Sequence, residues 1–258
     1  METTFSIQKI VLLGAGNVAT QLGKALVDAG YLITQVYSQT KRSSARLAKK
    51  LNAAPITSLK NLDQTATLFI IAIKDDVIAP FAKQLKLTTQ FVVHTSGTVQ
   101  ADVLKDCSKN FGVFYPLQTF SKDKIVDFAT TPICIEANTK SATETLTYFA
   151  KSISRNVQKI NSEQRKIIHL AAVFACNFSN HMYTISASIL KEHHLSFDIL
   201  KPLIAETADK IKINPPDKMQ TGPAIRKDYK TMETHLKLLK KNKELKKIYK
   251  LVSEHINH

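Results

Sequence analysis

The chain has 258 residues, 44% hydrophobic and 22% charged, which excludes a disordered, collagen-like or fibrous protein and suits one large or two modest domains. Its formal charge is +15, from 36 basic and 21 acidic residues, a balance that raises nucleic acid as a partner. Only five of the basic residues are Arg and Trp is absent, whereas base readout and single-strand stacking favour Arg and aromatics; the charge therefore reads as a lysine-rich surface and an anionic small-molecule partner, with no specific nucleic acid.

In chain order, the N-terminal METTFSIQKI lacks a basic region leading into a long apolar run, so no secretory leader is expected. Lys9–Leu13 (KIVLL) reads as a strand, and Asn17–Ala29 as a helix with Val18, Leu22, Ala25, Leu26 and Ala29 on one side and Gly30 as its stop signal. Leu32–Tyr37 reads as a strand and Ser43–Leu51 as a helix. Leu68–Ile73 (LFIIAI) has the continuous apolar character of a strand covered on both faces. Val77–Leu85 predicts a short helix, Phe91–His94 a buried strand, Val113–Tyr115 and Pro132–Glu136 later strands, and Ala142–Ile153 a helix. This alternation predicts a doubly wound, mainly parallel sheet with crossover helices.

The character changes near Asn161. A long helical pattern runs from Ser162 to Leu190, another covers Phe197–Lys212, and a third Tyr229–Ile256. Leu236, Leu239, Leu245, Ile248 and Val252 form an apolar stripe in the last of these, with its lysines as the solvated face. The expected organisation is an α/β domain over residues 1–160 and an all-helical domain over residues 161–258. No run of about 18 apolar residues occurs, so no membrane span is expected. Cys107, Cys134 and Cys176 are widely spaced and odd in number, and neither a CxxC nor a His cluster supplies metal-ligand spacing. That argues against a disulfide framework or a zinc site, fits a reducing cytoplasmic setting, and reads all three as small buried hydrophobes.

The strongest motif is Gly14-Ala15-Gly16-Asn17-Val18-Ala19, a GxGxxA between a strand and a helix. That context is what a dinucleotide needs: Gly14 for a tight turn, Gly16 for close approach of the pyrophosphate, Ala19 for helix–strand packing, and the helix N-terminus facing the anion. Asn17 and Val18 supply its first amides. An NAD site usually carries Asp or Glu at the end of the second strand. Here Val36–Ser43 has no acid and offers Ser38, Lys41, Arg42 and Ser43 instead, so NADP(H) is favoured over NAD(H). Ile73 and Lys74, at a buried strand end, are expected beside the nicotinamide ribose. His94 and Ser96 end the next strand and are candidates for proton handling, and the Phe114–Gln118 segment is expected to wall the same cleft.

These motifs recur with His169 to Asn177 and Thr221-Gly222-Pro223-Ala224-Ile225-Arg226-Lys227-Asp228. In that order the chain resembles the bacterial family that joins a Rossmann-like domain to a domain of unknown function numbered 2520. That family is similar to pyrroline-5-carboxylate reductases, deazaflavin-dependent NADP oxidoreductases and 6-phosphogluconate or β-hydroxyacid dehydrogenases. The resemblance implies a nicotinamide cofactor, a cleft bordered by the helical domain, and a homodimer formed through that domain. β-Hydroxyacid dehydrogenases carry a catalytic Lys four residues before an Asn; here that place is Val173, so their lysine mechanism does not transfer. His169, one turn earlier, is the substitute, with Asn177 placed on the same helix face at i+8. Thr221, Gly222 and Arg226 are candidates to hold a carboxylate or phosphate. The expected function is an NADP-dependent oxidoreductase acting on a small anionic carbonyl or imine; the competing reading is a nucleotide-binding sensor or scaffold without turnover.

Overall fold

The computed structural model describes residues 7–121 and 124–257. These residues divide into two compact units, with the boundary between His181 and Met182. The first is built on one eight-stranded sheet. Its strands are β1 (Lys9–Leu13), β2 (Leu32–Tyr37), β3 (Ala54–Ile56), β4 (Leu68–Ile71), β5 (Phe91–His94), β6 (Asn110–Pro116), β7 (Ile133–Ala137) and β8 (Val157–Lys159). They lie in the order β3-β2-β1-β4-β5-β6-β7-β8. All pairings are parallel except β6 with β7. The sheet is thus the expected doubly wound, mainly parallel one.

The central strands are apolar throughout because helices cover both faces. On one side α1 (Asn17–Asp28), α2 (Lys41–Leu51) and α4 (Lys140–Lys151) bury Leu22, Leu26, Leu47, Leu146 and Phe149. On the other, α3 (Asp75–Ala82) buries Ile78 and Phe81 beside Leu104. Each such side chain contributes about 1.5–3 kcal/mol by leaving water. The chain leaves β1 toward β2 on one side and β4 lies on the other, so a crevice opens at the carboxyl ends of β1 and β4.

The strands β3 and β8 escape the sequence pattern. Each has three residues at a sheet edge, and neither needs a buried apolar run; Pro55 in β3 is tolerated at such an edge. Helix α3 begins at Asp75, two residues before the sequence expectation, because Asp75 and Asp76 suit a helix N-terminus.

Helix α5 (Ser162–Ala172) starts on a capping box: the Asn161 side chain accepts from the Gln164 N–H, and the Gln164 side chain accepts from the Asn161 N–H. It continues through a π segment, Val173–Phe178, into α6 (Ser179–Glu192). The second unit carries α7 (Lys201–Ile213), α8 (Tyr229–Leu238) and α9 (Lys243–Ile256). The single helix expected over Tyr229–Ile256 is therefore two. Asn242 breaks it, because its side chain caps α9 by accepting from the Leu245 N–H. Among the described residues no helix is long and apolar enough to cross a membrane. Cys107 and Cys134 are buried as expected, but Cys176 is exposed, because the π segment that carries it has no buried residue.

Candidate functional site

Gly14 follows β1 with φ +133°, and its N–H donates to the Tyr37 carbonyl at 2.9 Å. A Cβ at this position would lie 2.1 Å from the Ala72 carbonyl oxygen, so the close packing of the β1 and β4 ends admits only glycine. Gly16 is the N-cap of α1, which has no side-chain cap and no acid in its first turn. The amides of Asn17, Val18 and Ala19 are thus left to another acceptor, at the positive end of the helix dipole. The Asn17 side chain does not cap them; it donates to the Phe120 carbonyl at 2.9 Å.

A cavity of about 670 Å³ opens over this turn. Of the residues expected to touch a cofactor, Gly14, Gly16, Asn17, Val18, Ser38, Ile73 and Lys74 line it. Lys41 and Arg42 do not; they are exposed on the first turn of α2, next to Ser43, which does. Gln39, which the sequence reading did not single out, also lines the cavity, as do Asp75 and Thr95 of the two strand ends expected to pass the nicotinamide. The signal for Gln39 was positional: it lies within two residues of a strand end.

His94 and Ser96 behave differently from the expectation. His94 is fully buried; its Nδ1 accepts the Ser96 N–H at 3.2 Å, and its Nε2 lies 3.2 Å from the Gln100 carbonyl. Burial pushes its pKa down to about 4, so the ring is neutral and Nε2–H donates to Gln100. Ser96 Oγ accepts the N–H groups of Thr98 and Val99 at 3.1 and 3.0 Å. Both side chains are consumed in satisfying the 94–100 loop, whose backbone must find partners as it leaves the sheet. Both ring nitrogens of His94 are engaged, and the Ser96 hydroxyl also lies 3.4 Å from Thr98 Oγ1 within the same loop. The loop is tied further: Thr98 donates to Asp75 at 2.7 Å, and the buried Arg165 of α5 donates to the Val99 carbonyl and to Glu136 of β7.

His169 is half-buried on α5, with Nδ1 3.1 Å from the Tyr115 hydroxyl at the end of β6. The two rings meet edge to face, 6.2 Å apart. Gly97 makes room for them: a Cβ there would lie 2.6 Å from His169 Nδ1. Asn177 is exposed within the π segment. His169 lies in α5 and Asn177 eight residues on within the π segment, whose i to i+5 bonding changes the helical phase from the regular spacing assumed above.

In the second unit, Thr221 and Gly222 line an apolar cavity of about 330 Å³ with Met182, Ile185, Ile248 and Tyr249. Tyr249 pairs with His235, hydroxyl to Nδ1, at 2.9 Å. An apolar wall is the wrong chemistry for a carboxylate or phosphate. Arg226 lies outside it and is exposed, while Asp228 caps α8 by accepting from the Thr231 N–H.

Two family models match the chain: a Rossmann-like domain over residues 4–117 and a domain of unknown function, DUF2520, over residues 131–256. Among solved structures, the chain is 42% identical to the "putative NADP oxidoreductase BF3122" of Bacteroides fragilis, with a TM-score of 0.92 over 97% of this chain and 98% of that one. It shares its fold with a 1-pyrroline-5-carboxylate reductase from Streptococcus pyogenes (12% identity, TM-score 0.66, 97% and 98% covered). It also shares it with an imine reductase from Myxococcus stipitatus in complex with NADP+ (14%, 0.64, 96% and 91%). No curated protein matches the chain.

Proposed function

The chain belongs to the family that joins a Rossmann-like domain to the domain of unknown function DUF2520, and from that premise we propose that it is an oxidoreductase that binds NADP(H) and acts on a small anionic carbonyl or imine compound. One observation carries the reading. The fold requires glycine at position 14, but nothing in the protein requires it at position 16, where a Cβ would meet no atom within 4 Å. A glycine that packing does not demand, on an uncapped helix N-terminus facing a cavity, is what a pyrophosphate needs for close approach.

In this reading Gly14, Gly16, Asn17 and Val18 hold the pyrophosphate, and Ile73 and Lys74 border the nicotinamide ribose. The acid-free end of β2, with Ser38, Lys41 and Arg42, suits a 2′-phosphate better than ribose hydroxyls. When bound, the nicotinamide ring supplies or accepts the hydride. The proton-handling role falls to His169, since His94 and Ser96 are spent on their own loop. Asn177, eight residues on in the π segment, is proposed to act with it. Arg226 is exposed and makes no ion pair among the described residues, which leaves its guanidinium for an anionic substrate. Thr221 and Gly222 are better read as walls of the apolar cavity. We also propose a homodimer through the helical region.

Titration calorimetry with NADPH and NADH tests the cofactor reading. NADPH binds more tightly. Gly16→Val abolishes binding of both nucleotides without lowering the melting temperature, because its side chain enters only the cradle. Arg42→Ala weakens NADPH about tenfold, or about 1.4 kcal/mol, and leaves NADH unchanged. Failure of the wild-type chain to bind either nucleotide overturns the proposal. Binding without turnover of any keto acid or imine favours the sensor reading, which the sealed His94 and the apolar Val173 support.

A further inference from the structure

We infer that Tyr115 is the positioning residue of His169: its hydroxyl donates to Nδ1, which holds the imidazole as the neutral Nε2–H form and points a hydrogen-bond donor at a substrate atom that accepts one, as a carbonyl oxygen does. This rests on the oxidoreductase reading for its use, but the pairing stands on the structure.

The sheet brings the partners together. Tyr115 closes β6 and Gly97 follows β5, its parallel neighbour. Both lie at the carboxyl edge that also carries Gly14 and the Ala72–Asp75 turn. His169 arrives from α5, 54 residues after Tyr115. The three residues are in mutual contact. A Cβ on residue 97 would stand 2.6 Å from His169 Nδ1, 2.9 Å from its Cγ and 3.0 Å from Tyr115 Cζ. No side chain can occupy that position while the rings remain paired, so glycine there is a condition of the pair.

The direction of the hydrogen bond follows from the phenol. A phenol has one hydrogen to place, and among the described residues the recorded partner of the Tyr115 hydroxyl is His169 Nδ1. Burial first, then the nearby Cys134 and Asp75, push the Tyr115 pKa up to about 12 against the opposing pull of Arg165. The hydroxyl therefore keeps its hydrogen at any ordinary pH and spends it on Nδ1. A neutral ring that accepts at Nδ1 must carry its own hydrogen on Nε2. That nitrogen has no partner among the described residues, whereas both ring nitrogens of His94 are engaged. Of the two histidines near this edge, only His169 has a nitrogen to offer.

The test is nitrogen-15 NMR of the imidazoles in the full chain, labelled at histidine, at about pH 8.5, roughly two units above the ordinary histidine pKa. The signal lost in His169→Gln identifies the residue. Wild-type His169 is expected wholly in the Nε2–H form. Tyr115→Phe keeps the ring but removes the donor, and shifts His169 to a mixture of both forms with the melting transition retained. Gly97→Ala, which separates the rings by crowding them, gives the same mixture. A wild-type ring in the Nδ1–H form, or a Tyr115→Phe ring that stays wholly Nε2–H, overturns the inference. NADPH titration of the same samples is read separately: loss of wild-type nucleotide binding sinks the cofactor reading and leaves the tautomer result to decide the pairing.

Discussion

At the scale of single residues, the two histidines separate by what each ring nitrogen touches. His94 shows how a residue type that suggests catalysis can be structural: it is sealed, neutral and bonded at both nitrogens. Its folded pKa of about 4 lies below the ordinary value of 6.5. Between those values the unfolded chain binds the proton more readily than the folded one. Stability from this group is therefore complete above about pH 6.5 and falls as pH drops toward 4. The loss amounts to roughly 3 kcal/mol at most. Thermal melts across this range should fall more steeply for the wild type than for His94→Gln, which cannot take a proton. Equal slopes would show that His94 is not the buried neutral group described. Sequence alone placed His94 at a strand end; it could not show that the following loop folds back onto both nitrogens.

At the scale of elements, α5 links distant parts of the first unit through Arg165. That side chain is 1% exposed and pairs with Glu136, which keeps 23% of its own exposure. It also donates to Ser162 at 3.1 Å and to the Val99 carbonyl. Removing one member of a buried pair costs about 3–5 kcal/mol because the other charge is stranded. Arg165→Met should cost about 3 kcal/mol, toward the low end, since water still reaches Glu136. Urea melts of Arg165→Met and of the double variant Arg165→Met with Glu136→Leu check this. The double variant should recover part of the loss, and a double variant less stable than the single one would refute the account. The helix itself was legible from its periodicity. The π segment was not, because an i to i+5 turn leaves no local composition signal and is selected by packing. The i, i+4, i+8 spacing that placed Asn177 on the face of His169 assumed a regular α-helix through this stretch.

At the scale of the whole molecule, burial is uneven. Among the described residues from 182 onward, only Ala224 and Ser253 are buried. Large apolar side chains there are open to water, including Ile199 at 72% and Leu203 at 62% exposure. In the π segment Phe174 and Phe178 stack edge to face while 62% and 48% exposed. Exposed apolar side chains of this kind are the physical support for the proposed homodimer. Sedimentation of the full chain should give twice the monomer mass at micromolar concentration. Phe174→Glu should weaken the association at least tenfold, since in the proposed dimer it places a charge among apolar side chains that the contact would bury. A wild-type chain that sediments as a monomer would remove this part of the proposal. Of the apolar stripe read from the sequence in the last helices, Leu239, Leu245, Ile248 and Val252 line the apolar cavity of the second unit.

What the sequence determined by itself is local. An apolar run, two glycines at the right spacing and a helical period identify the β1 turn and the start of α1, because each signal lies within about ten residues of the others. The alternation of strands and helices likewise implied the doubly wound sheet. Only the tertiary structure decided the rest. The Ala72 carbonyl behind Gly14, the loop that seals His94, the meeting of Tyr115, Gly97 and His169, and the Arg165–Glu136 pair all join segments far apart in the chain. Those contacts follow from which strands become neighbours and from where α5 passes the sheet edge, and no local pattern encodes either.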